Sequence, residues 1–86
     1  MIREKFCDLL DNGDDVVITF YYKSEVPAIF KMNIDSVEDY DDEFIIRSSN
    51  NTFVILTGDP VVNSVNDEEE EFIFAMGNLD VGVVVR

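Results

Sequence analysis

The spacing of the apolar residues changes once, at Asn12-Gly13, and this change constrains the fold more than any other feature. Before it, apolar side chains recur at the three- and four-residue intervals of one helix face. Asn and Gly tolerate the left-handed conformation that commonly ends a helix. The sequence therefore predicts a helix over residues 2–12. Its apolar stripe must pack on the rest of the chain, since about three turns are not stable alone. The stripe consists of Ile2, Phe6, Leu9 and Leu10, with Cys7 beside it.

After Gly13 the period becomes two, and β-branched and aromatic residues dominate. Strands are predicted over 16–22, 28–38, 44–47, 52–57, 61–65, 71–76 and 81–85, joined by turns at 23–25, 48–51, 58–60, 66–70 and 77–80. We expect a single α+β domain over residues 1–86, a short N-terminal helix followed by an antiparallel meander of five to seven strands. The meander forms either an open sheet or a small barrel of SH3-like or Sm-like type.

The charge balance indicates the kind of partner. Nineteen acidic residues face six basic ones, for a net charge of -13. Phosphate contacts require Lys and Arg, so direct binding to nucleic acid or an anionic membrane is disfavoured and a basic protein surface is favoured. Acidity that serves only solubility, or a salt-rich habitat, is the alternative. The single cysteine and the absence of a signal-like or membrane-spanning apolar run predict a cytoplasmic protein.

Catalytic motifs are missing from the sequence, and we expect no enzyme activity, cofactor or dedicated metal site. Without histidine, Ser-His-Asp and Cys-His arrangements cannot form. The four glycines make no phosphate-binding loop. Residues 8–15 resemble part of a calcium-binding EF-hand loop, but Leu10 replaces one oxygen ligand of that loop, and Thr19 stands where the loop needs a bidentate Glu.

The acidic residues are concentrated in runs, chiefly at 35–43 and 67–71. Alternate residues of an extended chain lie about 6.6 Å apart on one face, similar to neighbouring phosphates of a nucleic-acid strand. Two such rows could copy a nucleic-acid edge, whereas charge runs are also common in solvated loops. The predicted partner-binding residues are Asp35, Glu38, Asp39, Tyr40, Asp41, Asp42 and Glu43 in the first run, and Asp67, Glu68, Glu69, Glu70 and Glu71 in the second. Tyr40 is expected to be exposed and Phe72 to lie in the core.

In size, charge and α/β makeup the chain resembles small acidic inhibitors from bacteriophages and mobile elements: anti-CRISPR proteins, anti-restriction proteins and uracil-DNA glycosylase inhibitors. The resemblance rests on composition over the whole chain and transfers no individual residue. It implies an inhibitor in the host bacterial cytoplasm that blocks the groove of a basic nucleic-acid-binding protein, with a CRISPR effector as the most specific candidate. The alternative is a small β-barrel interaction module or assembly subunit without mimicry, which would bind through a strand edge or the apolar residues around Tyr21 and Tyr22.

Overall fold

A computed structural model describes residues 2–23, 25–64 and 69–86, with only the backbone at Ser64. In this part of the chain one helix precedes eight strands. The elements are α1 (Ile2–Asn12), β1 (Asp15–Tyr21), β2 (Ala28–Asn33), β3 (Ser36–Asp39), β4 (Glu43–Arg47), β5 (Phe53–Thr57), β6 (Val61–Ser64), β7 (Glu70–Met76) and β8 (Leu79–Val85). The predicted α+β class with a short N-terminal helix is confirmed, and the strands form two open sheets.

The larger sheet has five strands in the order β2-β1-β8-β7-β6, and the smaller has three in the order β3-β4-β5. All of the described pairings are antiparallel. Because side chains alternate across a strand, each sheet has one face toward the core and one facing outward. Residues buried in both sheets form one common core: Val16, Ile18, Met32, Phe72, Phe74, Val81 and Val83 from the larger sheet, and Phe44, Ile46 and Leu56 from the smaller.

The helix packs on the two sheets through the buried half of its apolar stripe, whereas Ile2 and Leu9 of the predicted stripe are exposed. Phe6 is fully buried, with its ring centroid 5.2 Å from that of Phe44 on β4 and 4.9 Å from that of Phe72 on β7. Leu10, one turn later, is also buried. The predicted helix over residues 2–12 and the predicted core position of Phe72 are both confirmed. Within the described ranges, no helix is both long enough and apolar enough to cross a bilayer.

The strand predicted over 28–38 is two strands, which raises the number above the expected five to seven. The break lies at Ile34 and Asp35. The Ile34 N–H donates to the Asp14 carbonyl at 2.8 Å, while the Asp35 N–H donates to the Arg47 carbonyl at 2.8 Å. The chain thus leaves the larger sheet at Ile34 and enters the smaller one at Asp35. Period-two alternation continues through the bend, so the pattern alone does not reveal it.

Candidate acidic interaction surface

The first acidic run forms the hairpin of β3 and β4. The Tyr40 N–H donates to the Glu43 carbonyl at 2.9 Å, which closes a tight connection between the strands. We call residues 40–43 the acidic turn. Tyr40, predicted to be exposed, has 50% of its surface accessible, and Asp41 and Asp42 are exposed beside it. The turn therefore presents carboxylates and an aromatic ring at one end of the smaller sheet.

Glu38 lies on the outward face of β3, and its carboxylate has partners within the molecule. It accepts hydrogen bonds from the Tyr40 hydroxyl at 2.6 Å and from Arg47 Nε at 2.8 Å. The bond from Tyr40, followed by that from Arg47, lowers the pKa of Glu38. Since the guanidinium compensates this carboxylate, Glu38 adds little net charge to the surface.

Asp39 points the other way, toward the helix. It accepts a hydrogen bond from Arg3 at 2.7 Å and lies 3.3 Å from the Cys7 sulfur. The Arg3 guanidinium also donates to the Tyr40 carbonyl and lies 4.1 Å from the centre of the Phe44 ring. Burial, and after it the hydrogen bond to Asp39, raises the pKa of the Cys7 thiol to about 11. Asp39 therefore anchors the acidic turn to α1.

The remaining acids of the first run carry uncompensated charge. Within the described ranges, no Lys or Arg nitrogen lies within 4.0 Å of a carboxylate of Asp35, Asp41, Asp42 or Glu43. Three of these acids belong to the acidic turn, and Asp35 lies at the opposite end of β3. The structure thus concentrates the free charge of this run at the turn.

A cleft separates the end of α1 from the link between β2 and β3. It has a volume of about 220 Å³ and opens to solvent. Asp11 on the helix and Asp35 on the link supply its two acidic groups, and apolar side chains supply part of its wall. The lining residues are Leu10, Asp11, Gly13, Ile34, Asp35, Ser36 and Val37. Asp35 therefore lies apart from the acidic turn and shares this cleft with Asp11.

The second acidic run is largely engaged within the molecule. Glu69 accepts a hydrogen bond from Arg86 Nε at 2.8 Å, and this bond lowers the pKa of its carboxyl. Glu70 pairs with Lys5 of the helix. Asp67 and Glu68, also predicted to bind a partner, lie outside the described residues. The carboxylates of Glu69 and Glu70 are thus partly neutralised by internal cations.

Glu71 differs from the expectation that it lies in an exposed row. Its residue is 6% exposed, and its carboxylate accepts a hydrogen bond of 2.5 Å from the Tyr21 hydroxyl. Gly82 leaves room for this contact, because a Cβ there would overlap the Glu71 carboxylate. Burial, followed by the bond to Glu71, raises the pKa of Tyr21 to about 12. An isolated glycine within a strand was the available sequence signal for such a close approach.

Among the described strand residues, the outward-facing acids of the two runs lie on different sheets. Glu38 and Glu43 project from the outward face of the smaller sheet, whereas Glu71 projects from the outward face of the larger one. Both inward faces meet in the common core, so these outward faces lie on opposite sides of it. Glu71 therefore does not extend the surface that carries Glu38 and Glu43.

Two apolar residues of β5, neither of them predicted to be exposed, face solvent. Phe53 is 53% exposed and Ile55 is 40% exposed. The uninterrupted apolar segment 53–56 is typical of a strand buried on both faces, so its pattern does not indicate that two of these side chains face solvent.

Comparison with protein-family models, curated proteins and solved structures finds no match to this chain. Among the described residues, no group of three or more Cys, Asp or Glu side chains is arranged to hold a metal ion.

Proposed function

We propose that the protein inhibits a basic nucleic-acid-binding protein by occupying the surface on which that protein holds its nucleic acid. The observation that carries this proposal is the acidic turn, whose Asp41, Asp42 and Glu43 carboxylates lie together without a compensating cation among the described residues. A basic groove would gain the same charge neutralisation from these groups as from phosphates. The contact would involve one acidic row, in place of the two rows of a duplex edge.

The charge of the whole chain supports the same mechanism. Among the described residues, five cations each pair with a carboxylate: Arg3, Lys5, Lys31, Arg47 and Arg86. Since acids exceed bases by thirteen, most of the excess negative charge is available to a partner. A field of this sign speeds encounter with a basic protein and is weakened by salt.

The most specific form of this proposal is an inhibitor of a bacterial defence protein, with a CRISPR effector as the leading target and the host cytoplasm as the location. Size, charge and composition favour this form. The turn supplies the chemistry that any such target would recognise, and the proposal for the turn stands independently of which effector it is.

The test reverses the charge of the acidic turn and uses a matched control elsewhere. The test variant is Asp41→Lys, Asp42→Lys, Glu43→Lys, and the control is Asp8→Lys, Asp11→Lys, Asp14→Lys, which changes the net charge equally at exposed positions. Asp39 is left intact because it holds the helix through Arg3. Proteins captured from bacterial lysate by the wild-type chain are then challenged with DNA.

We expect DNA to displace a captured nucleic-acid-binding protein, which the control variant retains and the turn variant loses. Capture of a partner that DNA does not displace would contradict the proposal. Equal loss with both variants would also contradict it, because binding would then depend on net charge and not on the turn.

A second candidate function is an interaction module without mimicry, and the β1–β2 hairpin favours it. Val26 is 88% exposed and Ile29 is 67% exposed, and Tyr22 is exposed near them. Strand β2 is an edge of the larger sheet, a common site for pairing with another chain. Binding through this hairpin would be insensitive to salt, whereas binding through the acidic turn would weaken steeply as ionic strength rises. A titration with NaCl therefore separates the two functions.

A further inference from the structure

The outward face of the smaller sheet is a regular grid of nine residues. Cross-strand pairing aligns them in three rows, because Glu38 lies opposite Ile45, which lies opposite Ile55. The row on one side is Ser36, Arg47 and Phe53, and the row on the other is Tyr40, Glu43 and Thr57. The acidic turn therefore borders the same face that carries the exposed side chains of β5.

The polar groups near the centre of this face already have partners. Glu38 accepts hydrogen bonds from Tyr40 and Arg47, and the Arg47 guanidinium lies 5.4 Å from the centre of the Phe53 ring. These contacts orient the Arg47 guanidinium and the Phe53 ring in the unbound protein. Phe53 and Ile55 nevertheless remain substantially exposed, so the β5 side of the face presents apolar surface.

We infer that this face is the docking surface for a protein with an apolar side chain flanked by lysine or arginine. The inference rests on the proposed function and specifies the partner's surface. Its basic groups would meet Asp41, Asp42 and Glu43, while its apolar group would cover Phe53 and Ile55. Aromatic residues at protein interfaces supply a large share of binding energy, and a preformed ring loses little entropy on contact.

Charge complementarity favours a basic protein as the partner of this face over a second copy of the chain. Each copy carries a net charge of -13, and a face-to-face dimer would bring two acidic turns to the same interface. Like charges placed together across an interface oppose association. A nucleic acid is disfavoured for the same reason. A basic protein surface satisfies both the acidic border and the apolar side of the face.

Two short peptides of equal length serve as probes, one alternating lysine with leucine and the other alternating lysine with serine. Their binding to the isotopically labelled full chain is followed through amide chemical shifts. We expect the lysine–leucine peptide to shift Ile45, Phe53 and Ile55 together with the acidic turn, and the lysine–serine peptide to shift the turn alone. The double variant Phe53→Ser, Ile55→Ser should lower the affinity for the lysine–leucine peptide by about tenfold and leave the affinity for the lysine–serine peptide unchanged.

A matched control is Val61→Ser, which removes an exposed apolar side chain from the larger sheet. It should leave both affinities unchanged, and the amide spectra of both variants report whether the fold is intact. Equal affinity of the two peptides for the wild-type chain would overturn the proposed apolar docking surface but would still support binding of basic groups at the acidic turn. Shifts centred on the β1–β2 hairpin would overturn it as well. Absence of binding by either peptide would contradict both proposals.

Discussion

The Tyr21 hydroxyl reaches across Gly82 to donate a 2.5 Å hydrogen bond to the Glu71 carboxylate. Tyr21 lies on β1, Gly82 on β8 and Glu71 on β7, so the contact spans three adjacent strands of the larger sheet. A residue from a run of five consecutive acids is thereby used inside the molecule. The number of acidic residues in the sequence therefore overstates the number of carboxylates that this protein exposes on its surface.

Stability should fall as the pH rises through the range from about 10 to 12. Tyr21 has its pKa raised from 10.0 to about 12 by burial and by its bond to Glu71, so the folded state holds the hydroxyl proton more tightly than the unfolded state. Such a group contributes its full stability below pH 10 and loses it as the pH passes 12. Melting temperatures across this range should fall less in Tyr21→Phe, which lacks the titrating group. Identical slopes in both proteins would refute this assignment.

Gly82→Ala should destabilise the fold by about 1–3 kcal/mol, the usual cost of overpacking a well-packed site. The new methyl group would overlap the Glu71 carboxylate and crowd the Tyr21 ring, at 2.9 Å from its Cε2 atom. Urea unfolding measures the change. The double variant Gly82→Ala, Glu71→Ala removes the overlapping group, so adding the alanine at 82 should cost less in that background. An equal cost in both backgrounds would show that Glu71 is not the obstacle.

Phe6→Ala should cost about 3–5 kcal/mol of unfolding free energy, as expected for a fully buried aromatic side chain. Its ring contacts both sheets, at 5.2 Å from Phe44 and 5.3 Å from Phe74. Ile2→Ala provides the control on the same helix, since Ile2 is exposed and should change stability by less than about 0.5 kcal/mol. Similar losses for the two variants would mean that the helix does not connect the sheets through Phe6.

The Cys7 thiol should react slowly with iodoacetamide at pH 8. Its pKa of about 11, raised from 9.0, lowers the reactive thiolate fraction about a hundredfold. Two comparisons isolate the cause: the same chain unfolded in urea, and a variant with Cys7→Ala and Leu9→Cys, which places a thiol at a more exposed helix position. Both should react faster. A rate in the folded chain equal to that of the exposed thiol would rule out protection by burial and Asp39.

Much of the fold could be predicted because the patterns are local. Apolar spacing specified α1 to the residue, and β-branched segments located most strands to within one or two positions. The strand boundary at Ile34 and Asp35 escaped prediction, because a chain that bends between two sheets keeps its alternation of side chains. Which sheet each segment joins depends on hydrogen bonds to Asp14 and Arg47, residues far from it in sequence.

The candidate surface was only partly predictable for a related reason. The sequence by itself determined that the chain has a net charge of -13 and that its acids are clustered. It also indicated that the helix and the strands each have an apolar face. Only the tertiary structure decided which acids remain free. Arg3 reaches Asp39, Arg47 reaches Glu38 and Tyr21 reaches Glu71 across the fold, leaving Asp41, Asp42 and Glu43 uncompensated within the described residues. The net charge is the sum of the charges in the sequence. Which charges compensate one another depends on the distances between side chains, and only folding determines those distances.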